Sequence, residues 1–232
     1  MTKNMRLTWR MILKKRLLSF LLILFLSSTA YAAFEDFTTF TEVDEQDDIT
    51  ITDEVTITVS SMRRDADSYV YKDYGADHFG DFSHSVKSVI SANTAGMFSF
   101  WGAANTIDDF DGLDATEDGI ASYHNELITS TEIITIEDLV NDSTDSTGDI
   151  NLGTWYMTIS RSGTTLTNEI YSDEAKTTLV DTIAVTCGTT TFRYLYAVIG
   201  KGSGVSASNA TGTVEDLDLN EAIFTPRIIN YN

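Results

Sequence analysis

From Phe34 onward the chain sets apolar residues at alternate positions in short runs, and scarcely anywhere at the three-to-four spacing of a helix. Alternation of this kind turns one side of a strand into a core and the other toward water, so the period by itself selects an all-β domain. Residues 49–51 and 55–59 alternate across an Asp53-Glu54 turn. Further runs lie at 83–90, 97–103, 120–128, 133–140, 179–186, 192–199 and 212–219. The runs 154–161 and 165–172 flank Ser162-Gly163-Thr164, which signals a hairpin. Within the first of these, Trp155, Met157 and Ile159 alternate with Tyr156, Thr158 and Ser160, so Trp155 is expected in a core between two sheets. One proline and turns rich in Gly, Asp, Asn and Ser leave a sandwich or a closed barrel. One-sided strands favour the sandwich, and the predicted fold class is an all-β, two-sheet antiparallel β-sandwich. Residues 141–151 and 200–209 read as loops, and no internal repeat or second domain is apparent.

The N-terminus has a different character. Lys3, Arg6, Arg10, Lys14, Lys15 and Arg16 precede an apolar run at 17–26 that only Ser19 interrupts, and Ala30-Tyr31-Ala32 has the small-x-small form that a signal peptidase accepts. Residues 1–32 are therefore expected to be a cleaved signal peptide, with an uncleaved anchor as the alternative, and the protein to be secreted or on the cell surface, or periplasmic. The β domain then spans 33–219, and residues 220–232, with Ile223, Phe224, Ile228 and Ile229, add a strand or a tail. The leader holds six of the 15 basic residues and none of the 35 acidic ones, which leaves 9 bases against 35 acids, a formal charge of −26. Such a surface repels phosphate, and Arg63-Arg64 is the only basic pair, so neither nucleic acid nor, once the leader is gone, a membrane is an expected partner. Cys187 is the only cysteine, which excludes an intramolecular disulfide, and its apolar strand points to a buried thiol. Asn141 and Asn209 begin glycosylation sequons.

The stretch Gly153-Thr154-Trp155-Tyr156, with Arg161, Gly163 and then Ile170-Tyr171-Ser172-Asp173, resembles the concanavalin A-like lectin and glucanase superfamily, especially its laminin-G-like branch. Tyr69-Val70-Tyr71-Lys72-Asp73-Tyr74-Gly75 and Phe79-Gly80-Asp81-Phe82 look like members of that group from phage and environmental sequences. The resemblance implies a jelly-roll of two curved sheets, with ligands held on a concave face or by rim loops.

The glucanases of that superfamily place acids on one strand as Glu-x-Asp-x-Glu, because alternate positions aim all three carboxylates into one cleft. This chain lacks that motif. Its nearest approach is Glu215-Asp216-Leu217-Asp218, where alternation sets Glu215 opposite the two aspartates, so no catalytic residue is assigned. Asp108, Asp109, Asp111 and Asp114 with Gly112 could wrap calcium, though their spacing is not that of an EF-hand and a solvated acidic turn is the competing reading. The expectation is no resident cofactor, with calcium as the one ion the composition admits. His78, His84 and His124 have neither zinc spacing nor an adjacent nucleophile.

Glycan binding needs an aromatic floor for the apolar face of a sugar, with polar groups at its edge. The candidates are Trp101, the pair Tyr194 and Tyr196 on one strand face, and the pair His124 and Glu126 on another. The leading expectation is an exported, non-catalytic binding or adhesion module for a carbohydrate or a surface protein. A self-assembling surface or virion-type protein and a glycoside hydrolase with displaced acids are the alternatives.

Overall fold

The computed structural model describes residues 34–127 and 131–220, without the side chains of residues 127 and 131. The leader at 1–32 and the apolar group in the tail lie outside the described residues. One seven-stranded antiparallel sheet runs β1 (Thr41–Asp44), β4 (Ser68–Asp73), β13 (Tyr194–Gly200), β6 (Met97–Ala104), β7 (Ile120–Leu127), β8 (Thr131–Asp138), β9 (Ser143–Ser146). The other runs β12 (Leu179–Thr186), β11 (Thr165–Tyr171), β10 (Gly153–Ser162), β5 (Phe82–Thr94), β14 (Asn209–Asp218), β3 (Thr56–Arg63), β2 (Ile49–Asp53). Neither sheet closes on itself, so the sandwich expectation holds over the barrel.

Alternation explains the second sheet. On β5, His84, Val86, Ser88 and Ile90 are buried while Ser83, Ser85, Lys87 and Val89 turn outward. On β10, Met157 and Ile159 are fully buried between half-exposed Tyr156, Thr158 and Ser160. Trp155 packs against this core yet stays half-buried, near the start of its strand. Trp155→Ala is accordingly expected to cost less than the roughly 3–5 kcal/mol of an emptied, fully enclosed aromatic site. A urea titration giving a loss inside that range would show that the ring is more enclosed than this.

The centre of the first sheet obeys a different rule. All eight residues of β6 and all seven of β13 are buried, because this sheet is covered on both faces. Its inner face joins the core through Phe98, Trp101, Leu195 and Val198. On its outer face a second cluster of Met97, Tyr123, Tyr194, Tyr196 and Ile199 lies beneath Phe110 and Leu113. Those two residues belong to α1 (Phe110–Ala115), in an excursion at 105–119 that joins β6 to β7. Asp109 caps α1 and Phe110 and Leu113 share its buried face, so a segment that composition marks as an acidic turn instead folds as one amphipathic turn of helix. Asp118 closes the base of the excursion, its Oδ2 accepting from Asn105 N (2.9 Å), Thr106 N (2.6 Å) and Thr106 Oγ1 (2.8 Å).

Candidate functional site

The excursion carries its acidic tip across the first sheet to one end of the sandwich. There Asp108 and Asp109 meet Asp67 of the β3–β4 turn, with carboxylate oxygens of the three residues all within 4.8 Å of one another. Three backbone bonds tie the surrounding loops: Asp111 N to Lys201 O at 3.1 Å, Gly202 N to Ala66 O at 3.2 Å, and Arg64 N to Ser208 O at 2.8 Å. Gly202 has φ +80°, and a Cβ there would collide with the Asp109 carboxylate, so only glycine lets the β13–β14 loop lie against it. A Cβ on Gly112 would likewise strike Asp108.

Each aspartate of the pair commits one oxygen locally. Asp108 Oδ1 accepts from Asp109 N at 2.9 Å, and Asp109 Oδ1 accepts from Gly112 N at 2.7 Å. The Oδ2 atoms are left without a hydrogen-bond partner among the described residues. Lys201, the nearest base in the loop, is committed to Asp111 and lies over the Phe110 ring. Burial, followed by the charges of Asp108, Asp67 and Asp111, pushes the Asp109 carboxyl above its ordinary value despite the Gly112 N–H. The excess negative charge also reaches Tyr69, whose hydroxyl is raised first by burial and then by Asp67 and Asp108.

Beside the carboxylates lie four tyrosines. Tyr69 and Tyr71 of β4 stand half-exposed, with ring centroids 6.0 Å apart. Tyr194 and Tyr196 pack beside them, Tyr71 to Tyr194 at 5.8 Å and Tyr69 to Tyr196 at 6.2 Å. The Tyr196 hydroxyl donates to Thr106 O (2.8 Å) and accepts from Asp108 N (3.2 Å), which fastens the acidic tip to the aromatic face.

The sequence candidates fare unevenly against this geometry. Tyr194 and Tyr196 do share a face, but Tyr196 is fully buried and Tyr194 nearly so; the rings that meet solvent are Tyr69 and Tyr71. Trp101 is no surface platform: its ring is fully buried, and Nε1 donates to His84 Nδ1 at 3.1 Å. His124 is enclosed between the sheets with Nε2 3.0 Å from Ser88 Oγ and Nδ1 3.7 Å from Glu132 Oε1. Serine, histidine and glutamate thus stand in the order of a nucleophilic relay, yet Ser88 and His124 have no exposed surface to receive a substrate. Glu126 sits at the β7–β8 hairpin end opposite Glu132, its carboxylate accepting from Ala95 N. The acidic cluster is split: Asp108 and Asp109 converge with Asp67, while Asp111 goes to Lys201. The strand acids change arrangement as well. A bulge at Asp216, φ +54°, breaks the alternation of β14, so that Leu217 is buried while Glu215 turns outward to Lys87.

Burial pushes His124 down to about 3 and Glu132 up to about 7, so both buried groups favour their neutral forms. A carboxyl raised in the folded state contributes its stability fully below the unfolded value of 4.5 and loses it as pH rises through about 7. Glu132→Gln is therefore expected to match the wild type near pH 4 and to exceed it progressively toward pH 8. Urea midpoints across that range check this, and a difference that does not grow with pH contradicts it.

No protein-family model matches the sequence, and no curated protein sequence gives a significant match. Solved structures do. Lectin II from Ulex europaeus superposes with a TM-score of 0.54 at 12% identity, over 77% of this chain and 91% of that one. The fold is a concanavalin A-like jelly roll. The legume lectin-like domain from Entamoeba histolytica gives 0.52 at 12% identity, over 78% and 88% of the two chains. The VIP36 exoplasmic/lumenal domain, in a form bound to Ca2+ and Man3GlcNAc, gives 0.53 at 12% identity over 82% and 90%. At such identity the likeness is one of fold. Among the described residues, no helix is long and apolar enough to cross a membrane.

Proposed function

We propose that this chain is an exported, non-catalytic carbohydrate-binding module whose site is the Tyr69–Tyr71 face beside Asp67, Asp108 and Asp109. The observation that carries the reading is the meeting of half-exposed aromatic rings with carboxylates that have unspent oxygens, at a loop-built end of a lectin-like sandwich. Tyrosine rings offer an apolar surface to the C–H face of a pyranose, and free carboxylate oxygens accept from its hydroxyls. Export rests on the leader sequence, together with the exoplasmic/lumenal origin of the VIP36 domain.

Calcium fits the carboxylates. The donor set is all oxygen, as a hard cation requires, and Gly112 and Gly202 keep the ground around Asp108 and Asp109 free of side chain. When bound there, the ion would neutralise three like charges and supply a Lewis-acidic contact for sugar hydroxyls. Asp67, Asp108 and Asp109 hold the site; Tyr69 and Tyr71 orient the ring; the Tyr196 hydroxyl fixes the loop. A glycan-array screen of the full chain, run with calcium and with chelator, tests the reading. Calcium-dependent binding to a related set of sugars is expected, and a blank array in both conditions would contradict it.

Self-assembly has one observation in its favour. β12 is an edge strand with Leu179 and Val180 exposed, and although Asp145 accepts from its Ala184 N at 2.9 Å, the strand has no β partner on that side among the described residues and can receive another chain. A monomer by sedimentation at high concentration would remove that reading.

A further inference from the structure

An acidic domain has few bases to spare, and their placement is informative. Among the described residues, Arg63, Lys72, Lys87, Arg193 and Lys201 each pair with a carboxylate: Asp65, Glu35, Glu215, Asp73 and Asp111 respectively. Arg161 is buried, donating to Thr190 O at 2.6 Å and Phe79 O at 3.4 Å. The Lys176 amine spends its three donors on Ser85 Oγ, Met157 O and Thr158 Oγ1. Arg64 alone of the eight is half-exposed with no carboxylate within ion-pair distance and with donors unspent. Its Nη1 is held by Ala95 O at 3.0 Å and Asn125 Oδ1 at 3.4 Å, while Nε and Nη2 have no partner among the described residues.

That guanidinium lines a cleft of about 380 Å³ with Ala95, Asn125, Glu126, Val205 and Ser208. Gly204, φ +130°, lies across its stem, and a Cβ there would stand 2.8 Å from Arg64 Cδ, so the loop backbone packs directly on the side chain. The same two loops border the carboxylate site, whose Asp108 and Asp109 come from the β6–β7 excursion. The β3–β4 turn carries Arg64 at one end and Asp67 at the other, and the β13–β14 loop lays Gly202 on Asp109 and Gly204 on Arg64.

We propose that Arg64 is a carboxylate-reading position, and that the preferred ligands are oligosaccharides containing an acidic, uronate-type residue. This rests on the glycan-binding reading above and adds a ligand class to it. A guanidinium offers two parallel N–H donors that match a carboxylate, and Nε and Nη2 form one such edge. Glu126 shares the cleft, but its carboxylate is engaged by Ala95 N. The overall negative charge opposes anions at long range, so acidic-sugar binding here depends on this local fork rather than on non-specific attraction.

The test is calorimetric titration of the full chain, in calcium, with trigalacturonate and with neutral galactotriose. Trigalacturonate is expected to bind about tenfold to a hundredfold tighter, the range for a charge-assisted pair. In Arg64→Gln the ratio of the two affinities should collapse toward one, and Arg64→Lys, which keeps the charge and loses the fork, should fall between. A thermal melt near that of the wild type shows that the variants fold, and Glu126→Gln, which leaves Arg64 in place, should keep or widen the preference. Equal affinity for both sugars in the wild type, or a preference that survives Arg64→Gln, overturns the inference while leaving glycan binding intact. Binding of neither sugar, with a blank array, overturns both.

Discussion

Trp101→Ala is expected to cost about 3–5 kcal/mol of stability, the range for deleting a large aromatic from a closed core. The indole is fully buried on β6, lies 5.4 Å from the Phe82 ring and 5.8 Å from His84, and gives its N–H to His84 Nδ1. Truncation opens a cavity between the sheets and strands a buried acceptor in one step, and a domain of this size has only about 5–15 kcal/mol in hand. Trp101→Phe keeps most of the volume and loses the hydrogen bond, so it should fall well short of the alanine variant. Urea titration decides the matter: a loss below about 1 kcal/mol for Trp101→Ala would place the ring outside the core.

The same residue shows where sequence reasoning stops. Period-two alternation is a local signal, and it located both the β10–β11 hairpin and the one-sided strands of the second sheet. Continuous apolar stretches such as Tyr194–Gly200 also carry information, since a strand buried on both faces implies a cover on each. What that cover is cannot be read locally. The six-residue α1 is too short to show a helical period, and its apolar residues are only Phe110, Leu113 and Ala115. The polar run Ser143–Ser146, read as loop, pairs as β9 because β8 offers it an edge. Asp67 stands some forty residues before Asp108, so only tertiary folding joins them. Tyr69 and Tyr71 alternate plainly, yet whether a tyrosine is floor or core depends on which face of the sheet the helix covers. Asp216 shows the converse, since one left-handed residue undoes an alternation that the sequence displays without fault.

Calcium is expected to raise the stability of the full chain by about 2.7 kcal/mol at a hundredfold excess over its dissociation constant, because three converging carboxylates exist only in the folded state. Asp109→Asn should then act with opposite signs in the two conditions. Asparagine keeps the oxygen that caps Gly112 N, so the helix start survives, while one of three repelling charges is gone. In chelator the variant should melt slightly higher than the wild type; in millimolar calcium it should melt several degrees lower. Magnesium at equal ionic strength separates coordination from screening. Parallel melting curves for the two proteins in all three conditions would show that these aspartates bind no ion.

If sugars bind on the tyrosine face next to Asp67, Asp108 and Asp109, truncating that face must weaken them. Calorimetric titration of the wild type and Tyr71→Ala with the tightest oligosaccharide from the array, in calcium and in chelator, measures that weakening. Tyr71 is half-exposed and packs against the outer aromatic cluster from its edge, so the variant should lose some stability yet fold, which a thermal melt checks. Saturable binding by the wild type in calcium is expected, weakened at least about tenfold by either the substitution or the chelator. Undiminished affinity in Tyr71→Ala together with undiminished affinity in chelator would place the sugar somewhere else on the molecule.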